Sequence, residues 1–241
     1  IMSQDRIWYE LRIMGRWVIL IPPLIILTFA LLGAILTIMQ VSHLRISQVL
    51  TASLEMVLPL AAGLLITTIV SYDSAIELQM TMPKTYRMTA FVRLSLIIAW
   101  TSCVALFTSV FIYHPRFWRV PSQVETWEVL PQFLIGQLTW IAPLFWFVGV
   151  GFSLALLIRS RSASSALLGG IWMIEAIFYG YFALIDWLKP LFLFPTTLAP
   201  GISFWLSNRI ELLITALVLL MLDWFMLRNT EKLLQGTAGE E

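Results

Sequence analysis

Residues 17–39 read WVILIPPLIILTFALLGAILTIM, a run of mainly apolar residues without a charged side chain. A bilayer core of about 30 Å needs about 20 helical residues to cross it, so this run is long enough. Arg6, Arg12 and Arg16 precede it, as basic residues precede the apolar region of a secretory signal. The run is too long for such a signal and has no small-x-small cleavage pattern near its end. It therefore predicts a first transmembrane helix.

The composition of the whole chain agrees with a membrane protein. Hydrophobic residues make up 59% of it and charged residues 12%, whereas a soluble domain carries about 25% charged residues. The net charge of +1 gives no indication of a nucleic-acid partner. Cys103 is the single cysteine, which excludes an internal disulfide and a cysteine-rich metal site. We expect residues 1–241 to form one transmembrane domain in contact with the lipid bilayer.

Hydropathy predicts an all-α membrane fold with six transmembrane helices. Backbone groups in hydrocarbon must form hydrogen bonds within their own segment, so each apolar stretch is expected to be helical. The predicted spans cover residues 17–39, 54–72, 91–113, 130–158, 163–186 and 210–227.

The distribution of lysine and arginine predicts the orientation, since these residues are enriched in cytoplasmic flanks. The richer side holds Arg6, Arg12, Arg16, Lys84, Arg87, Arg93, Arg159, Arg161, Arg228 and Lys232. The poorer side holds Arg45, Arg116, Arg119, Lys189 and Arg209. We therefore predict a multi-pass protein of the cell membrane with both termini in the cytoplasm.

Residues 187–208 stay apolar but are interrupted by Pro190, Pro195 and the pair Pro200-Gly201. Proline removes a backbone donor and breaks a helix, so this stretch is too interrupted for a regular span. We interpret it as a re-entrant or interfacial segment on the outer side, packed against protein.

The stretch before the first span predicts an amphipathic elbow helix. Within residues 6–16, Ile7, Leu11 and Met14 recur at helical spacing, while Arg6 and Glu10 take other faces. This pattern is typical of a helix that lies in the inner interface. The alternative is an ordinary basic flank without a defined helix.

Between the second and third spans, residues 71–93 read SYDSAIELQMTMPKTYRMTAFVR. Ser74 followed by Glu77 fits a capping box at a helix N-terminus. Ile76 and Met80 then share one face, and Pro83 ends the helix because the residue before a proline is driven out of the α region. The pattern predicts a cytoplasmic helix of about two turns.

The same residues resemble a known family. The pattern Asp-x-Ala-x-Glu-Leu-x-x-x-x-Pro at residues 73–83, with basic residues after the proline, is similar to the coupling-helix region of type-2 ABC exporter permeases. In that family this short helix docks into a cleft on a separate ATP-binding subunit. An elbow helix, six spans and short re-entrant helices before the sixth are also family features, so the resemblance covers the architecture of the whole chain.

The resemblance implies a function without catalysis in this chain. It predicts the transmembrane subunit of an ATP-driven exporter, paired with a second permease, identical or homologous, and coupled to ATP-binding subunits. ATP and Mg²⁺ are expected in those partners, because the sequence has no Gly-x-x-x-x-Gly-Lys-Ser/Thr phosphate loop. This chain is expected to need no cofactor of its own. The implied coupling residues are Asp73, Ala75, Ile76, Glu77, Leu78, Met80 and Pro83.

Glu175 lies near the middle of the fifth predicted span. A charge at that depth costs about 2.5–3.5 kcal/mol on insertion scales, so a charged residue there is expected to have a function or a compensating partner. No Lys or Arg lies within the core of a predicted span to pair with it. Glu175 either belongs to a substrate pathway or subunit interface, or forms a hydrogen bond that holds helices together.

Three other polar residues are expected to have ordinary roles. Glu55 is predicted to flank the second span at the outer interface, and Asp223 to be solvated at the inner end of the sixth. Ser153 lies in Gly151-Phe-Ser-Leu-Ala155, a pattern reminiscent of intramembrane serine proteases. A nucleophilic serine needs a base, and no histidine lies within a predicted span, so helix packing is favoured there.

Two other classes of protein stay open. A transporter driven by an ion gradient would need several ionisable groups in the membrane and often shows an internal repeat. A structural or regulatory membrane subunit would transport nothing.

Overall fold

The computed structural model of the protein describes residues 14–71, 83–113, 117–158 and 160–227. These residues are 83% helical and contain no strand, which confirms the all-α prediction for this part of the chain. The helices are α1 (Arg16–Ile38), α2 (His43–Ala52), α3 (Leu58–Ser71), α4 (Pro83–Tyr113), α5 (Val129–Gly136), α6 (Leu138–Ile158), α7 (Arg161–Leu184), α8 (Pro195–Leu198) and α9 (Trp205–Met226).

Several helical stretches are long and apolar enough to cross a membrane, in agreement with a multi-pass membrane protein. Five of them lie in the described ranges: Arg16–Ile38, His43–Thr68, Met88–Tyr113, Val129–Ile158 and Arg161–Leu184. They correspond to the first five predicted spans. The sixth corresponds to α9, which is not among the five stretches, and a count of six spans stays a prediction.

The second span starts earlier than the sequence predicted. Residues 43–52, expected in an outer loop, form α2, and the π-helical turn Ser53–Val57 continues α2 directly into α3. Ile46, Ser47 and Thr51 are buried on one face of α2. The polar residues of this helix resemble a loop in composition, but packing of that face keeps them helical.

The centre of the molecule is a close crossing of α3 and α6. A Cβ atom on Gly63 would lie 2.8 Å from the carbonyl oxygen of Phe147, and one on Gly151 would lie 2.9 Å from the carbonyl oxygen of Gly63. Only glycine therefore allows this approach, as is common where helices associate in membranes. On the other side of α6, a Cβ on Gly149 would lie 3.4 Å from the carbonyl oxygen of Ala216 in α9.

The helices α1 and α7 lie at the periphery and expose most of their apolar side chains. Within α1, Pro23 has no N–H, so the carbonyl oxygen of Ile19 loses its usual partner one turn later. The indole Nε1 of Trp100 in α4 donates to that oxygen at 3.0 Å. This bond satisfies a polar group that lipid could not.

The start of α2, the connection between α4 and α5 and the connection between α8 and α9 meet at one end of the bundle. His43 stacks on Phe117 with ring centroids 4.4 Å apart, and the Ser122 amide donates to the Pro200 carbonyl at 3.2 Å. Following the predicted orientation, we call this the outer end and the opposite one the inner end.

A buried ionic site beneath the outer segment

Glu55 occupies the π-helical turn between α2 and α3 and has no exposed surface. Its carboxylate accepts the backbone N–H of Thr196 at 3.0 Å and that of Thr197 at 2.6 Å. It also forms an ion pair with Arg209 of α9. Single π-helical turns often occur at functional sites, and here the turn carries a charged side chain in the protein interior.

Arg209 is fully buried in α9 and contacts the same stretch of backbone as Glu55. Its Nη1 donates to the Leu193 carbonyl at 2.9 Å, and its Nη2 donates to Glu55 and, at 3.2 Å, to the Thr196 hydroxyl. That hydroxyl also accepts a 2.8 Å hydrogen bond from the Trp205 indole. Both terminal nitrogens of the guanidinium are thus hydrogen-bonded, as a buried charge requires, while its Nε has no partner among the described residues.

Glu175 binds the backbone N–H of Leu193, the residue whose carbonyl Arg209 binds. Its Oε2 accepts the Leu193 N–H at 2.8 Å, while the Leu193 carbonyl accepts from Arg209. Glu175 is buried within α7, and the α7 backbone departs from helical geometry at Phe178, three residues later. The hydrogen bond therefore connects α7 to residues 192–197, which we call the outer segment.

Together these side chains hold one short piece of backbone that leads into the single helical turn α8. We call Glu55, Glu175 and Arg209 the outer clamp; they belong to three separate helical elements and converge on residues 192–197, all buried. Backbone groups outside regular secondary structure, and the first N–H groups of a helix, need other partners when they are removed from water. The clamp supplies such partners to N–H and C=O groups of this stretch.

Arg119 extends the clamp toward the surface. Its Nη1 donates to the Thr197 carbonyl at 3.1 Å, and the Gln48 side chain donates to the same oxygen at 3.2 Å. Burial lowers the pKa of the Arg119 guanidinium, and the carboxylate of Glu55 opposes that shift. Both backbone polar groups of Thr197 are thus bound, the N–H by Glu55 and the C=O by Arg119.

Two sequence predictions about this site were wrong. Glu55 was expected at the outer interface, but the helix extends beyond it through α2 and encloses it. Arg209 was counted among the basic residues of the outer flanks, but it is buried and pairs with Glu55. The two residues are separated by 154 positions in sequence, so only folding brings them together. A signal was present, because each is a charge beside an apolar run.

At the inner half of the bundle, Asp223 is buried rather than solvated, which corrects a further prediction. The Ser153 hydroxyl donates to both of its carboxylate oxygens, at 2.9 and 3.0 Å. The contact joins α6 to α9. Ser153 therefore has a packing partner, as the more ordinary interpretation of its motif predicted.

The predicted coupling residues Asp73, Ala75, Ile76, Glu77, Leu78 and Met80 lie outside the described residues, as does most of the predicted elbow helix. Pro83 is the first residue of α4. Glu175 is buried in α7, and its hydrogen bond is to Leu193 of the outer segment. No protein-family model, curated protein or solved structure matches this chain.

Proposed function

We propose that this chain is the transmembrane subunit of an ATP-driven ABC exporter. It pairs with a second permease in the cell membrane, binds separate ATP-binding subunits and moves a substrate out of the cytoplasm. The observation that carries the proposal is the pattern at residues 73–83. It falls between two spans, after α3 ends at Ser71 and where α4 begins at Pro83.

The helix arrangement supports a mechanical role for this connection. The connection joins the C-terminal end of α3, at Ser71, to the N-terminal end of α4, at Pro83, and in this proposal it faces the cytoplasm. A partner that moves this connection pushes on both α3 and α4. Because α3 packs against α6 through Gly63 and Gly151, the movement reaches the centre of the bundle.

A movement of α3 would also displace part of the outer clamp, because Glu55 lies just beyond the outer end of this helix. Helix α3 has 14 residues, about 21 Å at 1.5 Å per residue, and continues at its outer end into the turn that carries Glu55. Tilting α3 displaces Glu55 relative to Thr196 and Thr197 and loosens the buried segment. In this mechanism the clamp closes the outer end until the ATP-binding subunits move α3.

The experiment is co-purification from native membranes with a tagged copy of the chain. The test variant carries Glu77→Ala with Leu78→Ala, and the matched control carries Gln79→Ala with Thr81→Ala. We expect an ATP-hydrolysing subunit with wild type and control, and its loss in the test variant. Equal recovery with all three would remove residues 77 and 78 from the coupling element. Recovery with none would contradict the proposed function.

A gradient-driven transporter is the second candidate, and the outer clamp favours it. Glu55, Arg209 and Asp223 are buried ionisable groups in addition to Glu175, and such groups in membranes often mark ion pathways. Uptake into vesicles separates the candidates. Transport that needs ATP and the partner supports the exporter, whereas transport driven by a proton or sodium gradient without ATP supports the alternative. A purely structural subunit would transport under neither condition.

A further inference from the structure

A cleft of about 550 Å³ opens at the outer end, beside the clamp. Its walls come from the start of α2 (His43, Leu44), from the connection between α4 and α5 (Trp118, Arg119, Glu125) and from Pro200 with its neighbours. Small-molecule sites have volumes of about 300–1,000 Å³, so this cleft has the size of a ligand site.

Two opposite charges line the cleft without meeting. Arg119 and Glu125 both border it, yet in the described part of the chain neither forms an ion pair with any residue. Arg119 uses Nη1 for the Thr197 carbonyl, and its Nη2 and Nε have no hydrogen-bond acceptor among the described residues. Glu125 is exposed. A ligand with a separated anion and cation would complement both side chains.

The surroundings of the cleft indicate where such a ligand comes from. Helix α5 begins at Val129, four residues after Glu125, and exposes Val129, Leu130 and Leu134. Trp127, which precedes this helix, is also exposed. Exposed aromatic and apolar residues at the end of a span are typical of the level where lipid headgroups meet the hydrocarbon. Leu44 and Trp118 add apolar surface to the cleft itself.

We propose that this cleft binds the headgroup of a zwitterionic phospholipid, with the phosphate against Arg119 and the ammonium against Glu125. A guanidinium forms paired hydrogen bonds to phosphate, which a lysine would not match. Burial lowers the pKa of Arg119, and a phosphate would offset that loss of hydration. The site differs from the proposed export function, because it needs neither ATP nor a partner subunit.

Occupancy of the cleft would also affect the clamp. Arg119 donates to the Thr197 carbonyl, and the Thr197 N–H is bound by Glu55. A headgroup bound to the remaining donors of Arg119 would therefore be linked to the outer segment through that one side chain.

The test is native mass spectrometry of the full chain in detergent, titrated with phosphatidylethanolamine or phosphatidylglycerol. We expect the wild type to favour phosphatidylethanolamine. Arg119→Gln and Glu125→Gln should each weaken its binding about 10-fold, the effect of losing one charge-assisted contact. For phosphatidylglycerol, which has no ammonium, Arg119→Gln should weaken binding and Glu125→Gln should not. The controls Arg45→Gln and Glu128→Gln change exposed outer charges that do not line the cleft.

The alternatives give different results. Wild-type affinity in both cleft variants would overturn the site. Loss only with Arg119→Gln, for both lipids, would mean a general anion site and overturn the zwitterion. Soluble phosphoethanolamine should not displace the lipid at millimolar concentration; if it does, the ligand is a free zwitterion and the lipid source is wrong. Unchanged thermal unfolding of the variants ensures that lost binding is not lost folding.

Discussion

The outer clamp and the α3–α6 crossing are both tightly packed, but by opposite means. At the crossing, glycines let two backbones approach so closely that a Cβ on Gly63 or Gly151 would meet a carbonyl oxygen of the other helix. At the clamp, long charged side chains span the gap between helices and bind backbone atoms directly. The crossing depends on volume, whereas the clamp depends on the identity and placement of individual donors and acceptors. Substitutions should therefore affect the two regions in different ways.

Arg209→Met should have the largest effect. It keeps most of the side-chain volume but leaves the Glu55 carboxylate buried without its cation, which costs about 3–5 kcal/mol when one partner of a buried pair is removed. Thermal unfolding in detergent measures the loss. Arg45→Met at an exposed position of α2 is the control and should change stability by less than about 0.5 kcal/mol. Equal unfolding temperatures for the two variants would contradict the clamp.

Exchanging the pair sharpens the same point. Glu55→Arg with Arg209→Glu retains opposite charges, but the new arginine faces the N–H groups of Thr196 and Thr197, which are donors as well. We expect the double variant to be no more stable than Arg209→Met. Recovery of wild-type stability would mean that the ion pair matters and that its bonds to the backbone do not.

Gly63→Ala should come next and tests the crossing. The added methyl group meets the Phe147 carbonyl at 2.8 Å, and overpacking of this kind costs about 1–3 kcal/mol. The matched control is Gly169→Ala in α7, where no atom lies within 4 Å of the added Cβ. Since alanine favours helix more than glycine does, the control should be neutral or slightly stabilising. Equal destabilisation would show that backbone contact at Gly63 is not limiting.

Ser153→Ala should have a similar or smaller effect at the inner half. It removes the hydroxyl that donates to Asp223, and an unsatisfied buried acceptor costs about 1–3 kcal/mol. Ser207→Ala removes an exposed hydroxyl bonded only within its own helix and serves as the control. The measurement is again thermal unfolding, and a neutral Ser153→Ala would mean that Asp223 finds another donor.

Glu175→Gln should change stability least, because an amide oxygen can still accept the Leu193 N–H. We expect a loss below about 1 kcal/mol, comparable with one neutral hydrogen bond, together with normal assembly. Transport in vesicles is the decisive measurement. Impaired transport supports a role of the Glu175 charge in the pathway or the gate; wild-type transport leaves only the structural hydrogen bond. Glu175→Leu, which removes the acceptor, should destabilise the protein more.

Of the six spans that the apolar runs predicted, five correspond to helical stretches long and apolar enough to cross a membrane, because hydropathy is a local property. The start of α2 was missed because Ser47, Gln48 and Thr51 have the composition of a loop, and their helical state depends on packing. The interpretation of residues 187–208 as a segment packed against protein agrees with the buried residues 192–197. Its proline positions indicated the breaks, but no local pattern indicated which side chains satisfy the freed backbone groups.

By itself, the sequence determined that this chain is helical and that several of its helices are long and apolar enough to cross a membrane. Both properties follow from neighbouring residues, because length and apolar content are local. Tertiary structure alone decided the chemistry at the outer end. Glu55, Glu175 and Arg209 each look isolated in the sequence, and their mutual contacts arise because three helices bring them to one segment. Burial then makes each group depend on the others, since a charge removed from water is stable only beside the partners that folding supplies.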